Sequence, residues 1–462
     1  MPSYVDKHIP LVTICNISET FYNFLSRADN ESKRQHLIHG EQYRGDRTLL
    51  WLGDPKLVFV TYPIPHAEHI LTCFGYKGTS YMAPVEPSPW LSLDILREPA
   101  LLQCLVNYAG PQHKVQLIPY ATTPQFFKLV SVLEEEYGLT VLLPESPIPD
   151  NLWVRDYIDT KAGFRALAPR WLPDFKNLLP EGIICQDLGL AADVVHWYCH
   201  RGISAVIKAD IGENGIGNIL RPGKSMSREE VLTMLQSNSF LSNDWVTVER
   251  FIHSDKPVSP SLEMFVPPLG SGEPEVTYVS NQLFLEFGDF CGVVVTRELQ
   301  EESWYRDLVA SGKLLAKGLQ EMGYVGHFDL DAVVGSDEKV YLLEVNSRRT
   351  GGTHVHEFAK FVFGHNYLDH VVLLSHDAMK SGDITNFDDL LAAIGDLAYP
   401  INGEQQGVVV TVTSALEAGE FGCIIVASTA EEALELQQAL VRRFQPILNQ
   451  QSFPQVVTTR PN

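Results

Sequence analysis

Two short runs in the last third of the sequence constrain this chain more than any other feature. Gly326-His327-Phe328-Asp329-Leu330-Asp331-Ala332-Val333-Val334 and Tyr341-Leu342-Leu343-Glu344-Val345-Asn346-Ser347-Arg348 each read as a strand, and the turn Gly335–Glu338 joins them as a hairpin. Asp331 and Glu344 stand at positions otherwise filled by apolar residues. A carboxylate buried there needs a counter-charge. Glu344 and Asn346 are two positions apart, so they face one side of their strand. Two carboxylates and an amide oxygen suit Mg²⁺, a hard ion that takes oxygen ligands. The competing reading is an edge hairpin with solvated acids, and the apolar residues between the acids weigh against it.

Composition narrows the field. With 45% hydrophobic and 20% charged residues, the 462-residue chain can bury a sizeable core, and its length suits roughly three domains. It holds 35 Lys+Arg against 57 Asp+Glu, a formal net charge of −22. That balance argues against nucleic acid as a partner. It leaves room for a nucleotide, since one ATP needs only a few local cations. No run reaches the ~18 apolar residues of a membrane span, and Met1–Cys15 lacks the pattern of a signal peptide. Seven scattered cysteines without a CxxC pair suit a reducing cytoplasm.

Patterning divides the chain into an α/β segment at 1–145, a central segment at 146–385 and a C-terminal segment at 386–462. In the first, Thr48–Leu52, Lys56–Tyr62, Val115–Tyr120 and Thr140–Leu143 read as strands. A helix at Thr123–Tyr137 makes the last two a βαβ unit of a parallel sheet. The second shows a helix near Asp150, strands at Gly182–Cys185, Ala205–Ala209 and Trp245–Ile252, and helices at Leu188–His200, Ser227–Leu235 and Glu301–Met322. The last is a small α/β appendage: strands Gly407–Ser414 and Gly422–Ala427, then an amphipathic helix Thr429–Phe444.

Other signals are weak singly. Lys208 ends a strand beside Gly212, Gly215 and Gly217, a cation and a flexible backbone fit for phosphate oxygens. Gly217–Ser225 imitates a P-loop but has five residues between its glycines where four are required. The apolar strand Val246–Ile252, broken by Glu249-Arg250, could offer its backbone to a base. His66/His69 and His196/Cys199/His200 read as surface or packing residues. Trp153, Tyr157 and Trp171 read as core.

Taken together, Lys161, Lys208 with its glycine loop, Glu249-Arg250-Phe251-Ile252, Asp331 and Glu344-Val345-Asn346-Ser347-Arg348 occur in the order of an ATP-grasp enzyme. Asp331 precedes Glu344 by the thirteen positions of that family's metal hairpin. Over about residues 146–385 the chain resembles this superfamily. Arg348-Arg349-Thr350-Gly351-Gly352-Thr353-His354 looks like the branch of peptide ligases of the pheganomycin type, which carries a pre-ATP-grasp domain in front.

The resemblance implies an N-terminal pre-ATP-grasp domain, an ATP-grasp fold of two α+β lobes (a nucleotide lid at about 182–248 and a metal lobe at about 253–385) and the small C-terminal lobe. It implies that Lys161 and Lys208 contact ATP phosphates under a lid formed by Gly212, Gly215 and Gly217. Glu249, Arg250, Phe251 and Ile252 would form the adenine hinge and Glu263 would hold the ribose. Asp331, Glu344 and Asn346 would bind two Mg²⁺ ions, with Asp329 able to replace or assist Asp331. Arg348, with Lys208, would serve catalysis, and Arg349, Thr353 and His354 are candidates for the substrate. The implied reaction is ATP-dependent ligation of a small carboxylate and an amine, with amino acids or peptides as candidate partners, through an acylphosphate with release of ADP. Loading of an amino acid onto a carrier-protein thiol and non-catalytic ATP binding are the alternatives. No membrane partner is expected, and an oligomer is compatible with the sequence.

Overall fold

The computed structural model describes residues 2, 4–241, 245–255, 258–285 and 289–444. The expected C-terminal segment beyond 444 lies outside the described residues.

The N-terminal segment folds around a five-stranded parallel sheet in the order Ser80–Met82, Leu57–Phe59, Leu11–Ile14, Lys114–Pro119 and Thr140–Leu142. The expected βαβ unit is present, its helix Pro124–Glu135 capped by the Thr123 hydroxyl. Strand residues alternate between faces. Val12, Ile14, Leu57 and Phe59 pack under the helices at 91–135, whereas Leu11, Val58 and Val60 enter a second core.

The expectation of a strand at Thr48–Leu52 fails. Arg44–Leu50 is a 3₁₀ helix. A short apolar run bears no period that separates a strand from a buried turn. Here the Asp46 carboxylate secures the turn by accepting from the backbone N–H groups of Thr413 and Ser414, at 2.7 and 2.9 Å.

Next comes a four-stranded antiparallel sheet, Gly182–Cys185, Val246–Arg250, Ala205–Ala209 and Ile219–Arg221, backed by helices Leu188–His200 and Arg228–Gln236. The second helix opens with a reciprocal capping box between Ser227 and Glu230. Its core is shared with the N-terminal segment: Phe21, Phe24 and Leu25 pack into the same cluster as Ala205, Val246 and Phe240, with the Phe24 and Phe240 rings 5.0 Å apart. Lifting this lobe away would expose that apolar surface to water.

The largest sheet has eight strands: Val340–Asn346, Gly326–Val334, Pro260–Val266, Glu275–Phe284, Phe290–Val295, Val372–Lys380, Glu420–Ala427 and Gly407–Val412. The C-terminal strands therefore extend the acid-hairpin sheet rather than forming one of their own. Helix Tyr305–Glu321 covers the hairpin end, and helices Phe387–Ile394 and Ala430–Phe444 cover the other. Trp153 and Tyr157, expected in the core, are 53% and 42% exposed. Their helix Leu152–Ile158 turns Val154 and Ile158 inward instead. All seven cysteines are free, and no helix among the described residues is long and apolar enough to cross a membrane.

One buried cation sits apart from the site. Lys56 is fully buried, its ammonium 2.5 Å from the Gly53 carbonyl and 4.7 Å from the Tyr76 ring centre. Burial pulls its pKa down to about 7, against the pull of Asp54 and Glu357. From about pH 7 up to the unfolded value near 10.4, the unfolded chain holds the proton and the folded chain does not, so stability rises with pH. Relative to Lys56→Met, the wild type should gain about 1.4 kcal/mol of stability per pH unit over that window, measured by urea unfolding at several pH values. Parallel pH profiles for the two proteins would refute this.

Candidate active site

The hairpin forms as its pattern requires, with Asp331 directly across from Glu344 and Asp329 across from Asn346. Residues directly opposite one another in an antiparallel pair share a face of the sheet, so Asp331 and Glu344 stand on the same side. Asp331 accepts from the Asn346 amide at 2.8 Å and from the Gln282 amide at 2.6 Å. Burial pushes Asp331 well above the usual carboxylate range, and Asp329 and Glu344 add to it. Asp329 is bonded to the Ser261 hydroxyl and is also pushed up, to about 7, by burial and by Glu263. Among the described residues no three His, Cys, Asp or Glu side chains are gathered as a metal cluster. Asp331 and Glu344 bring two carboxylates, and a third oxygen would come from the Asn346 amide.

Lys161 begins helix Lys161–Trp171 and reaches Glu344 Oε2 at 2.9 Å. Burial works against its charge, but Glu344 overrides burial and holds the ammonium above its ordinary value. Glu344 is lowered in turn: burial would raise it, and Lys161, Lys208 and Arg348 outweigh that. Lys208, on strand Ala205–Ala209, lies 2.9 Å from Glu249 Oε2, while Arg165 Nε donates to Glu249 Oε1 at 3.0 Å. Glu249 is thus a buried acid bridging two cations. The N–H groups of Arg250 and Phe251 already donate to the Glu181 and Ser204 carbonyls at 2.7 and 2.8 Å.

The glycine loop closes down on this cluster. At Gly212 a Cβ would lie 3.4 Å from the Lys161 nitrogen, and Gly215 and Gly217 take φ of +79° and +88°, where glycine carries no steric penalty. Glu213 reaches Arg348 at 3.3 Å, and Asn214 donates to Glu41 of the N-terminal segment at 3.4 Å. Arg348 also contacts Asp159, donates to Asn346 Oδ1 at 2.9 Å and lies 4.7 Å from the Phe21 ring centre. One guanidinium therefore ties the hairpin, the glycine loop and the N-terminal segment together.

Four expected site residues lie elsewhere. Glu263 is fully buried in mid-strand, its carboxylate bonded to His327 Nδ1 at 3.1 Å and to the Thr353 hydroxyl, with Thr277 at 3.3 Å and Tyr278 and Thr350 at 3.4 Å. Such a group has no face left for a ribose. Burial alone would raise it, and the His327 bond keeps it low. Thr353 is spent on that network. Arg349 is 1% exposed and forms a bidentate pair with Glu145 at 2.6 and 2.9 Å, flat against Trp51. His354 is 1% exposed, and burial, seconded by the Arg47 guanidinium, pushes it well below the usual histidine value, so it is neutral.

Asp159, Arg165, Glu213 and Gln282 were not anticipated. Each lies far in sequence from the group it touches. Only Glu213, inside the glycine loop, stood beside a recognisable signal.

No protein-family model matches the sequence, and no curated protein matches it. Solved structures do share its architecture. N5-carboxyaminoimidazole ribonucleotide synthetase, crystallised as an ADP complex, superposes with a TM-score of 0.54 at 13% identity over 97% of this chain and 100% of that one. Biotin carboxylase from Campylobacter jejuni, in a β,γ-ATP complex, gives 0.56 at 12% identity over 94% and 91%. N5-carboxyaminoimidazole synthetase from Staphylococcus aureus gives 0.53 at 8% identity over 95% and 99%. These are ATP-grasp enzymes, and this chain has the ATP-grasp fold.

Proposed function

We propose that the chain is an ADP-forming ATP-grasp ligase that joins a small-molecule carboxylate to an amine, making an amide or peptide bond through an acylphosphate. The observation that carries this reading is the convergence of Lys161 and Lys208, from separate parts of the chain, with Arg348 at the hairpin's own end, on the Glu344 carboxylate.

The donor set fits the implied groups. Asp331 and Glu344 repel one another across the hairpin, and a divalent cation between them would relieve that repulsion. Asp331, Glu344 and the Asn346 amide oxygen would hold Mg²⁺, which would supply positive charge at the phosphoryl oxygens. Lys161 and Lys208 would lie along the ATP phosphates. The hinge at Glu249–Ile252 would meet the base, with the Ile252 N–H as its donor, since the two preceding amides are engaged. Arg348, kept cationic by Asp159 and Glu213 despite burial, would face the transferred phosphoryl group. The glycine loop would exclude water from an acylphosphate, which hydrolyses readily. The run Arg348–His354 supports a likeness to pheganomycin-type peptide ligases, and the scattered free cysteines support a cytoplasmic setting.

Incubation with ATP, Mg²⁺ and pooled small acids and amino acids, followed by mass spectrometry, tests this. ADP and a dehydrated conjugate are expected, and AMP in place of ADP would refute the acylphosphate route. Lys208→Ala should raise the Kd for ATP about 10- to 100-fold, the ~1.5–3 kcal/mol of a charge-assisted hydrogen bond. An unchanged Kd by calorimetry would remove Lys208 from the nucleotide site.

A further inference from the structure

Where the N-terminal segment meets the end of the acid hairpin, the packing leaves a small polar cavity of about 10 Å³, room for one water-sized occupant. Its walls include Tyr120 and Glu145 of the N-terminal segment, residues 347–349 beyond the hairpin, and Arg155 of helix Leu152–Ile158. Arg155, Arg348 and Arg349 thus border one cavity, against a single carboxylate in its lining, Glu145, among the described residues.

The charges around it do not balance. Glu145 is taken up by Arg349, which it binds through both oxygens. Asp159, just behind, is bonded to Arg348 and to the N–H and hydroxyl of Ser347. The carboxylate bonded to Arg155 is its neighbour Asp156, 2.8 Å from Nη1, and that side chain is 53% exposed. A pair with a solvated carboxylate contributes little. Glu213, which also contacts Arg348, is pushed by burial up to about 8, so near neutral pH it brings less than a full charge. The nitrogens point the same way. Arg155 Nε and Nη2 and Arg348 Nε are buried with no hydrogen-bond partner among the described residues, although each carries a donor. The Arg348 side chain is only 5% exposed.

We propose that this cavity is a halide site, in which Arg155 and Arg348 hold one monatomic anion. A water accepts two hydrogen bonds and would bring two protons of its own to a wall that is already positive. An anion accepts from all three nitrogens and supplies the missing charge. The volume suits a single atom and excludes an anion as large as phosphate. Arg348 also contacts the glycine loop and the hairpin, so an anion at its Nε would fix it from the remaining side. The site is independent of which substrates the proposed ligase joins.

The test follows urea unfolding of the full chain as sodium chloride replaces sodium gluconate at constant ionic strength, together with diffraction from bromide-soaked crystals. Above the Kd, each tenfold rise in chloride should lower the unfolding equilibrium constant about tenfold, because the anion binds only the folded chain. Arg155→Met should lose that dependence, and one anomalous bromide peak should touch both Arg155 and Arg348. Equal stability in chloride and gluconate, or an Arg155→Met protein that keeps the chloride dependence, would overturn the proposal. So would a bromide peak without chloride-dependent stability, which is binding at crystal concentration only. Should Arg155→Met not fold, the wild-type titration and the bromide position decide together.

Discussion

Glu344→Gln is expected to lower ADP release by about 10²–10³-fold, the scale on which removal of one preorganised electrostatic contact slows an enzyme. Glu344 is the residue on which the site's charges converge: Lys161 lies 2.9 Å away, Lys208 and Arg348 both lower its pKa, and Asp331 stands directly across the hairpin. Glutamine keeps the shape and an oxygen for Lys161, so the fold should survive. It removes the negative charge that a Mg²⁺ pair would share, so the Mg²⁺ concentration for half-maximal rate should also rise. Circular dichroism and Tm check the fold, and coupled ADP release checks the rate. Near wild-type turnover would show that the hairpin is not the metal site.

Arg349→Met has the opposite signature: a loss of stability rather than a selective loss of rate. Its guanidinium holds both oxygens of Glu145 and lies 4.8 Å from the Trp51 ring centre, in a setting from which water is excluded. Removing it leaves the Glu145 carboxylate buried with only the Tyr4 hydroxyl, 2.9 Å away, and His327 nearby. Breaking a buried pair from one side costs about 3–5 kcal/mol, because the remaining charge has no counter-ion. Tm should fall by roughly 3–5 °C. Adding Glu145→Leu should recover part of the loss, since it takes away the stranded charge. An unchanged Tm with lost turnover would return Arg349 to the substrate.

The elements legible in the sequence are those whose pattern is local. The strands Gly182–Cys185 and Ala205–Ala209 and the helix Leu188–His200 fall where the alternation of residues places them. The hairpin from Gly326 to Asn346 does too, because its turn and its apolar runs lie within one short stretch. Strand Leu11–Ile14 lies at the centre of the parallel sheet and was not anticipated. Four apolar residues have no period of their own, and their neighbours at Leu57–Phe59 and Lys114–Pro119 are remote in sequence. Glu263 shows the same gap from the site side. The resemblance implies a ribose contact for it, whereas its partners here are Thr353, Tyr278 and His327 inside the sheet.

The sequence by itself therefore determined the acid hairpin and the strand and glycine loop around Lys208, for which residue type and short-range spacing suffice; the class of fold followed from the family resemblance. The tertiary structure alone decided which charges face one another. Arg349 turns to Glu145, Arg348 to Glu213 and Asp159, and Arg47 to Asp377. A buried charge takes the nearest opposite charge in space, and chain position says little about where that will be.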